Sequence, residues 1–431
     1  MSRISDCNGR SRGTRKYRSF KTPCKSQSRK TREHKKILDY LNRICSDSGL
    51  CIAFGNGKKV MDFFNGFTHF HYVTSIQRIG EPSVNGFVKE IKYERDGYYA
   101  YTILKSSISS SRDNLVYEYI VGQYINKKNK IFPCFLETYG LYYYADLPSW
   151  EYSKNTPHID HPDLKKSLRL QEQIYDYKKM CSDSKFAAIL LQHIKGAKTL
   201  ERSMNDPHFV RNHLMNVLYQ IYFPLSVLKD EFTHYDLHAS NVLMYEPYVG
   251  KHIRYHYHID GQVITFDSPY VAKIIDYGKS FFNTETLKPK DIYEKLCVES
   301  QCSTLTTTCG YSFGFPFDTR KPPSFYADSL VPNQSHDLKL VHQMISDRRV
   351  KLFAPIELLE LLKNIVYGKG LPANEANHGT EPAESTLFSP LIYNVKDIEK
   401  TLRNLVKGKE LQTVKMGDLH IYKDGSPMRF E

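Results

Sequence analysis

The residues whose types and spacing could do chemistry in this chain lie in two short segments. The first is His234-Tyr-Asp-Leu-His-Ala-Ser-Asn241, where Asp236 and Asn241 are five positions apart on an expected tight loop. The second is an apolar strand that ends in Asp276-Tyr-Gly278. Phosphoryl transfer requires a carboxylate that orients a hydroxyl and accepts its proton, and it requires oxygen ligands for Mg²⁺. Asp236, Asn241 and Asp276 could supply these groups, although each aspartate taken alone also suits a turn or a strand end.

A long helix leads to the first segment. Asp206-Pro207 has the sequence of a helix start, with an N-cap residue before a proline at the first helical position. Apolar residues then recur every three or four positions, which predicts one helical face with a kink at Pro224. The members of this face are Val210, Leu214, Val217, Ile221, Leu225 and Leu228. A hairpin around Asp260-Gly261 is expected between the two chemical segments.

Strands dominate the part of the chain before this helix. Segments 87–93 and 98–105 read as strands, and Asp96-Gly97 between them suits a hairpin turn. The polar stretch 145–183 predicts an insertion or a long surface loop. Other expected elements are a helix at 113–126, strands at 132–136, 140–144 and 186–194, and helices at 336–347, 355–367 and 395–406. Strands first and helices afterwards indicate an α+β fold.

The composition is that of a soluble globular protein. The 431 residues are 41% apolar and 25% charged, which allows a sizeable core. The longest apolar run, Phe186 to Leu191, is too short to span a bilayer, and the first residues lack a secretory signal. We therefore expect an intracellular protein, cytoplasmic or nuclear, with no transmembrane segment. The nine cysteines include no paired Cys-x-x-Cys, which favours reduced thiols over a zinc site.

A cluster of histidines, His252, His256 and His258, offers an alternative metal site. Alternation along a strand places His256 and His258 on one face. No cysteine or carboxylate pattern completes a ligand set, so we favour an exposed hairpin strand at this position.

Most of the excess positive charge of the chain is concentrated at its start. Residues 1–36 contain 13 Lys and Arg residues and two acidic residues, a net charge of +11 out of +13 for the whole chain. The segment is nearly empty of aliphatic residues, which predicts a disordered tail. The tail could be a solubilising arm without a specific partner. It could equally be an electrostatic arm for nucleic acid, an anionic membrane or an acidic protein.

The two chemical segments resemble the catalytic loop H-R-D-L-x-x-x-N and the D-F-G turn of the protein kinase superfamily. The resemblance implies that Asp236 is the catalytic base and that Asn241 and Asp276 are metal ligands. It covers roughly residues 75 to 345. The many tyrosines and long insertions look most like serine/threonine kinases of large DNA viruses, and packaging in a virion would follow if the chain is viral.

The resemblance also implies a nucleotide site upstream of the loop. Gly80-x-x-Ser83-x-x-Gly86-x-Val88, preceded by Ile79, looks like a degenerate Gly-rich loop over the phosphates. Lys105 matches the phosphate-pairing lysine, although it also suits a solvated strand end. Glu118 matches its ion-pair partner, with Asp113 as the alternative. Residues from Leu190 to Ile194, including Gln192, resemble the hinge whose backbone holds adenine, and Asp337 resembles the aspartate that supports the catalytic loop.

The fold implied by the resemblance is bilobal. We expect a basic tail at 1–36, an extension at 37–69, a small β-rich lobe at 70–195 with an insertion at about 145–183, and a larger helical lobe at 196–431. The expected reaction transfers the γ-phosphate of Mg²⁺-bound ATP to Ser or Thr hydroxyls of a protein substrate.

Three features depart from the protein-kinase pattern. Tyr235 replaces the arginine of the loop, His238 stands where a lysine is usual, and no Ala-Pro-Glu element lies between Asp276 and Asp337. His-x-Asp-Leu-His also resembles the small-molecule kinases related to aminoglycoside phosphotransferases. A small-molecule kinase and a pseudokinase scaffold therefore remain alternatives.

Overall fold

The computed structural model describes residues 25–44, 52–83, 86–108, 113–174, 179–284, 332–365, 391–406 and 411–431. The α-helices are α1 Lys25–Ile44, α2 Gly57–Phe63, α3 Leu115–Lys128, α4 Leu147–Asn155, α5 His161–Ser167, α6 Met180–Asp183, α7 Leu200–Ser203, α8 Pro207–Asn212, α9 Leu214–Val227, α10 Lys339–Ser346, α11 Arg348–Phe353, α12 Ile356–Lys363 and α13 Val395–Leu405. Short 3₁₀ helices cover Ala239–Asn241 and His336–Leu338.

The strands are β1 Val73–Ser83, β2 Gly86–Arg95, β3 Tyr98–Ser106, β4 Thr138–Tyr144, β5 Leu168–Gln171, β6 Ala187–Gln192, β7 Lys198–Thr199, β8 Phe232–Thr233, β9 Val242–Tyr245, β10 Lys251–Ile259, β11 Gln262–Ser268, β12 Val271–Ile274, β13 Phe281–Phe282, β14 Val414–Tyr422 and β15 Arg429–Phe430. The mixture of sheets and helices is the α+β class that the order of elements predicts.

An antiparallel sheet of six strands forms the first large layer. Its strand order is β1-β2-β3-β6-β4-β5, and every neighbouring pair is antiparallel. One face of this sheet carries Ile91, Tyr93 and Leu104, which pack in a hydrophobic cluster with Val60 and Phe63 of α2. The residues before β1 thus cover one face of the sheet, and the opposite face is left for other contacts.

A second and larger hydrophobic cluster joins helix α3 to the helices and small sheets that follow β6. Helix α9 is its centre, because ten of its fourteen residues are buried. A four-stranded sheet of order β11-β10-β14-β15 packs Tyr255 and Tyr257 into the same cluster. Strand β14 joins this sheet by a parallel pairing with β10, so the end of the chain returns to the hairpin that was expected around Asp260-Gly261.

The structure corrects several expectations about individual elements. Residues 145–183 are not only a loop, because they contain α4, α5 and the sheet strand β5. Segment 132–136 is not a strand, although Phe135 makes an isolated bridge to Ile274. The break in the long helix lies at His213, between α8 and α9, whereas Pro224 lies inside α9.

The basic tail also differs from its expectation in part. Helix α1 begins at Lys25, so residues 25–36 are helical, and the helix crosses the expected boundary at residue 36. Residues 1–24 lie outside the described part of the chain. Leu41 anchors α1 in the cluster beneath the six-stranded sheet, and His34 Nε2 contacts the Asp96 carboxylate at 2.6 Å.

Two further findings concern membranes and cysteines. Among the residues that the structure describes, no helix has the length and apolar character to cross a bilayer. Cys134 is a buried free thiol, whereas Cys181 is disulfide-bonded, contrary to the expectation of reduced cysteines throughout.

Candidate active site

The face of the six-stranded sheet opposite helix α2 brings several of the predicted nucleotide residues together. Directly opposed residues of antiparallel strands point to the same face. The pairs Ile79–Val88 and Val88–Lys105 therefore form one row across β1, β2 and β3. Two positions along, Ile103 of β3 is opposed by Leu191 of β6 on the same face. Apolar side chains thus flank the amino group of Lys105.

Lys105 holds two carboxylates from distant parts of the chain. Its Nζ donates to Glu118 Oε2 of α3 at 2.7 Å and to Asp276 Oδ1 at 3.0 Å. The Glu118 side chain is only 5% exposed, whereas that of Asp276 is 44% exposed, so the pair links a buried helix to an accessible turn. Asp113, the alternative partner, instead accepts a hydrogen bond from the Ile108 backbone N–H at 3.0 Å.

The charges of this cluster depend on one another. Burial opposes the charge on Lys105, but the carboxylates of Asp276 and Glu118 overcome it and raise the pKa of the lysine. The ammonium group in turn lowers the pKa of Asp276. Burial raises the pKa of Glu118 to about 7 against the attraction of Lys105. At neutral pH the cluster therefore contains a charged lysine beside a charged Asp276.

The loop from His234 to Asn241 is fixed from below by a buried carboxylate. Asp337 Oδ2 accepts the His234 backbone N–H at 2.8 Å, and its Oδ1 accepts that of Tyr235 at 3.0 Å. His234 Nε2 contacts the Ile275 carbonyl oxygen at 2.9 Å, which ties the loop to the residue before Asp276. The expectation that Asp337 supports this loop thus agrees with its contacts.

Two residues of the site have backbone conformations that are rare outside glycine. Tyr235 has φ of +61° and Asp276 has φ of +69°. Such left-handed conformations are costly for residues with a Cβ, and they occur at functional sites when surrounding contacts hold them. Here the contacts are the Asp337 carboxylate at Tyr235 and the Lys105 ammonium at Asp276.

Asp236 lies between two lysines that the sequence did not single out. Lys279 Nζ is 3.1 Å from Asp236 Oδ2, and Lys339 Nζ is 3.5 Å from Oδ1. Burial favours the neutral carboxyl, but the ammonium groups of Lys279 and Lys339 overcome it and lower the pKa of Asp236 to about 2. Asp236 is therefore ionised at neutral pH, with both oxygens engaged.

The donor set fits a hard cation that is shared with phosphates. Asn241 donates its Nδ2–H to the Asp236 carbonyl oxygen at 3.0 Å, which leaves Oδ1 as its available ligand atom. Asp276 offers an ionised carboxylate. Mg²⁺ prefers such oxygen ligands and commonly binds through one or two protein groups together with substrate phosphates. The described residues contain no group of three or more His, Cys, Asp or Glu side chains that could hold a metal alone.

The glycines of the degenerate Gly-rich loop lie in the β1–β2 hairpin. Ser83 pairs with Gly86 at its end, and Gly80 lies within β1 with φ of +67°. Gly86 has φ of +98°, and a Cβ there would lie 1.9 Å from the Ser106 carbonyl oxygen. Gly86 is thus required by close packing against β3, independently of any ligand.

The predicted hinge residues are placed differently from the rest of the site. Gln192 is opposed by Thr102, so its side chain lies on the face away from Lys105, and its Oε1 accepts the Glu137 backbone N–H at 3.3 Å. Its own backbone N–H donates to the Glu137 carbonyl oxygen at 2.8 Å. Ile194 is buried, and its carbonyl oxygen accepts from the Ala197 N–H at 3.2 Å.

The sequence reasoning missed three residues of this region: Ile103, Lys279 and Lys339. It placed Leu191 in the hinge but not on the face of Lys105. Ile103 could have been found from alternation, because it lies two positions before Lys105 on the same strand. Lys279 directly follows Gly278, and Lys339 lies two positions after Asp337. Proximity to these motif residues was the available signal for both lysines.

No model of a known protein family matches this chain, and no curated protein is significantly similar to it in sequence.

Proposed function

We propose that this chain is an ATP- and Mg²⁺-dependent protein kinase that transfers the γ-phosphate to Ser or Thr hydroxyls. Under this proposal the fold is bilobal, with the β-rich part at about 70–195, the helical part at about 196–431 and the nucleotide between them. Clefts between two such parts are common ligand sites.

The observation that carries the proposal is the position of Lys105. It joins Glu118 to Asp276, a residue 171 positions further along the chain. The resemblance requires this meeting of three residues, and local sequence preferences do not bring residues so distant in the chain together. The row Ile79–Val88–Lys105 adds an apolar surface beside the ammonium group, where a base could stack above the phosphates.

Each residue then has a distinct part in the reaction. Lys105 would bind phosphate oxygens while Glu118 holds its side chain in place. Asp276 and the Oδ1 atom of Asn241 would hold Mg²⁺, which supplies positive charge that stabilises the transferring phosphoryl group. Asp236 would orient the acceptor hydroxyl towards the phosphorus and accept its proton late in the transfer. Its low pKa makes orientation the larger part of this role.

A second candidate, a small-molecule kinase, is favoured by a cavity beside His238. The cavity has a volume of about 310 Å³ and is lined by the loop residues His238, Ala239 and Ser240, together with Glu201, Leu340 and Arg349. This is at the lower end of the size range of small-molecule pockets. A small alcohol bound there would be adjacent to the loop that carries Asp236.

The test combines nucleotide binding with turnover in three variants. Asp276→Asn removes the metal carboxylate but keeps a side chain that tolerates the left-handed backbone, since Asn adopts this region more readily than most residues. Lys105→Met removes the ammonium group and keeps an apolar stem. Asp236→Asn removes the proton acceptor. Asp260→Asn is the matched control, because Asp260 is an exposed aspartate that pairs with Lys423 and has a left-handed backbone like that of Asp276.

We expect Asp276→Asn and Lys105→Met to weaken the thermal shift produced by Mg·ATP and to abolish transfer. Asp236→Asn should keep the thermal shift and lower turnover about 10²-fold or more, the usual scale for a general base. Mass spectrometry should find phosphoserine or phosphothreonine. Transfer only to a small alcohol would favour the second candidate, and nucleotide binding without turnover in the wild type would favour a pseudokinase. Turnover that survives Asp236→Asn would place the active site elsewhere.

A further inference from the structure

Each oxygen of the Asp236 carboxylate already contacts a lysine in this structure. Lys279 engages Oδ2 and Lys339 engages Oδ1. Each oxygen keeps a second lone pair, but the Asp236 side chain is only 15% exposed, so a hydroxyl that approaches it competes for space with these two ammonium groups. Two points then follow: which lysine leaves Asp236, and which group its ammonium contacts afterwards.

The surroundings of the two lysines differ. Lys339 is 2% exposed at the first position of α10, two residues after the Asp337 that holds the loop. A side chain enclosed in this way has little room to change its rotamer. Lys279 is 13% exposed and lies in the short segment between Asp276 and strand β13, outside any helix or strand. Lys279 is therefore the residue that can exchange partners.

The position of Lys279 also suggests its second partner. It lies three positions after Asp276, which the proposed function makes a ligand of the metal that holds the phosphates. The loop itself supplies no permanent cation, because burial lowers the pKa of His238 and leaves its imidazole neutral at pH 7. Charge that develops on a transferring phosphoryl group must be met by fixed positive groups.

We propose that Lys279 is a catalytic residue that exchanges partners: it pairs with Asp236 in the resting protein and moves to the transferred phosphoryl group when the acceptor hydroxyl occupies its place. This inference rests on the proposed function. In the transfer, the acceptor oxygen forms a bond to the γ-phosphorus, and the bond from that phosphorus to the β–γ bridging oxygen breaks. The electron pair leaves with ADP, and the hydroxyl proton passes to Asp236. Lys279 changes only its hydrogen-bond partner and remains charged.

The exchange has a structural purpose. In the resting protein, Lys279 neutralises a buried carboxylate that would otherwise be costly. Its release depends on the arrival of an acceptor, so the cation reaches the phosphate only when a hydroxyl is in place. The pairing therefore disfavours attack of water on the γ-phosphate. A water molecule displaces the charge-assisted Lys279–Asp236 contact less readily than a bound acceptor does.

The experiment compares Lys279→Ala, Lys279→Arg and Lys423→Ala with the wild type in steady-state phosphorylation assays. Lys423 is the matched control, because it is an exposed lysine that also pairs with an aspartate, Asp260, at 2.6 Å. We expect Lys279→Ala to lower kcat about 10- to 100-fold, the contribution of a charge-assisted hydrogen bond formed only in the transition state. KM for ATP should change less than about threefold, because the ground-state complex keeps Lys105.

Lys279→Arg should restore most of kcat, and Lys423→Ala should equal the wild type. A thermal shift with Mg·ATP that matches the wild type would show that the Lys279→Ala protein is folded and binds nucleotide, and Lys279→Gln is a second variant if it is not folded. An unchanged kcat would overturn the exchange of partners, as would a rise in KM for ATP as large as the fall in kcat. An inactive wild type would overturn both proposals. Activity that Asp236→Asn abolishes and Lys279→Ala leaves intact would retain the proposed function and remove this inference alone.

Discussion

Replacement of Asp337 by alanine tests the support of the 234–241 loop without any assumption about substrates. The Asp337 carboxylate is buried, and it accepts the backbone N–H groups of His234 at 2.8 Å and Tyr235 at 3.0 Å. Alanine would leave both donors without these acceptors. A buried donor that loses its partner costs about 1–3 kcal/mol, so the two together cost roughly 2–6 kcal/mol.

Part of this loss is offset by the removal of a buried acid. Burial raises the pKa of Asp337 to about 7, although the two backbone N–H groups favour its charged form. The carboxylate is thus itself unfavourable in this environment, and alanine removes that cost. We therefore expect a net loss in the lower part of the range, about 2–4 kcal/mol of unfolding free energy. Tyr235 should be affected most, because its left-handed backbone, with φ of +61°, depends on this contact.

The assay pairs urea unfolding with hydrogen exchange at the amides of residues 234 and 235. Asp347→Ala is the matched control, since Asp347 also accepts two backbone N–H groups, those of Arg349 and Val350, but does so at the start of helix α11. Loss of such a cap costs about 1 kcal/mol. Asp337→Ala should lose stability beyond this control and lose amide protection at 234 and 235. Unchanged protection at these two amides would refute the reasoning.

Two further predictions concern stability. Burial, with a smaller effect of His208, lowers the pKa of His213 to about 4. The stability that its neutral form contributes is fully present above the unfolded pKa of about 6.5 and is lost progressively as the pH falls from 6.5 to 4, by about 2 kcal/mol at pH 5. Urea unfolding at pH 7.5 and pH 5 should therefore show a smaller pH dependence in His213→Phe than in the wild type, and equal dependence would contradict the assignment. Gly86→Ala should destabilise more than Gly97→Ala, because both residues have positive φ but only at Gly86 would a Cβ lie 1.9 Å from a backbone oxygen. Gly97→Ala should lower the free energy of unfolding by about 1–2 kcal/mol, the usual penalty of a left-handed residue. A Gly86→Ala protein that loses no more than this would show that β2 and β3 can move apart.

The parts of the fold that the sequence predicts are those with local signals. Strands β2 and β3 are recognisable from alternation, and the Asp96-Gly97 turn between them fixes their register. Strand β5 has only four residues, and its partner β4 is 24 positions away at the nearest end, so its place in the sheet depends on tertiary contacts. The parallel pairing of β14 with β10 joins segments about 160 positions apart, and no turn sequence indicates it.

In the candidate site, too, the residues with a local sequence signal were predicted and those that depend on tertiary contacts were not. The resemblance to a known motif predicts the roles of Asp236, Asn241 and Asp276, and their spacing is visible in the chain. The two lysines at Asp236 carry no such pattern, because Lys279 and Lys339 reach it from 43 and 103 positions away. Lysine is also the commonest residue of solvated surfaces, so a buried lysine is recognisable only when the structure shows its partner.

Lys105 and Asp236 are each held by one enclosed and one more accessible partner of opposite charge, which supports the same interpretation of both ion-pair clusters. Lys105 has an enclosed partner, Glu118 at 5% exposure, and an accessible partner, Asp276 at 44%. Asp236 likewise has an enclosed partner, Lys339, and a more accessible one, Lys279. In each case the enclosed contact fixes the position of the group. Under the proposed function, the accessible contact is the one that a substrate atom would replace, because Lys105 and Asp236 each keep their enclosed charged partner. Under the proposed function, a phosphate oxygen would replace Asp276 at Lys105, and an acceptor hydroxyl would replace Lys279 at Asp236. The resting network would then keep its charges compensated until both substrates bind, which is the preorganisation that phosphoryl transfer requires.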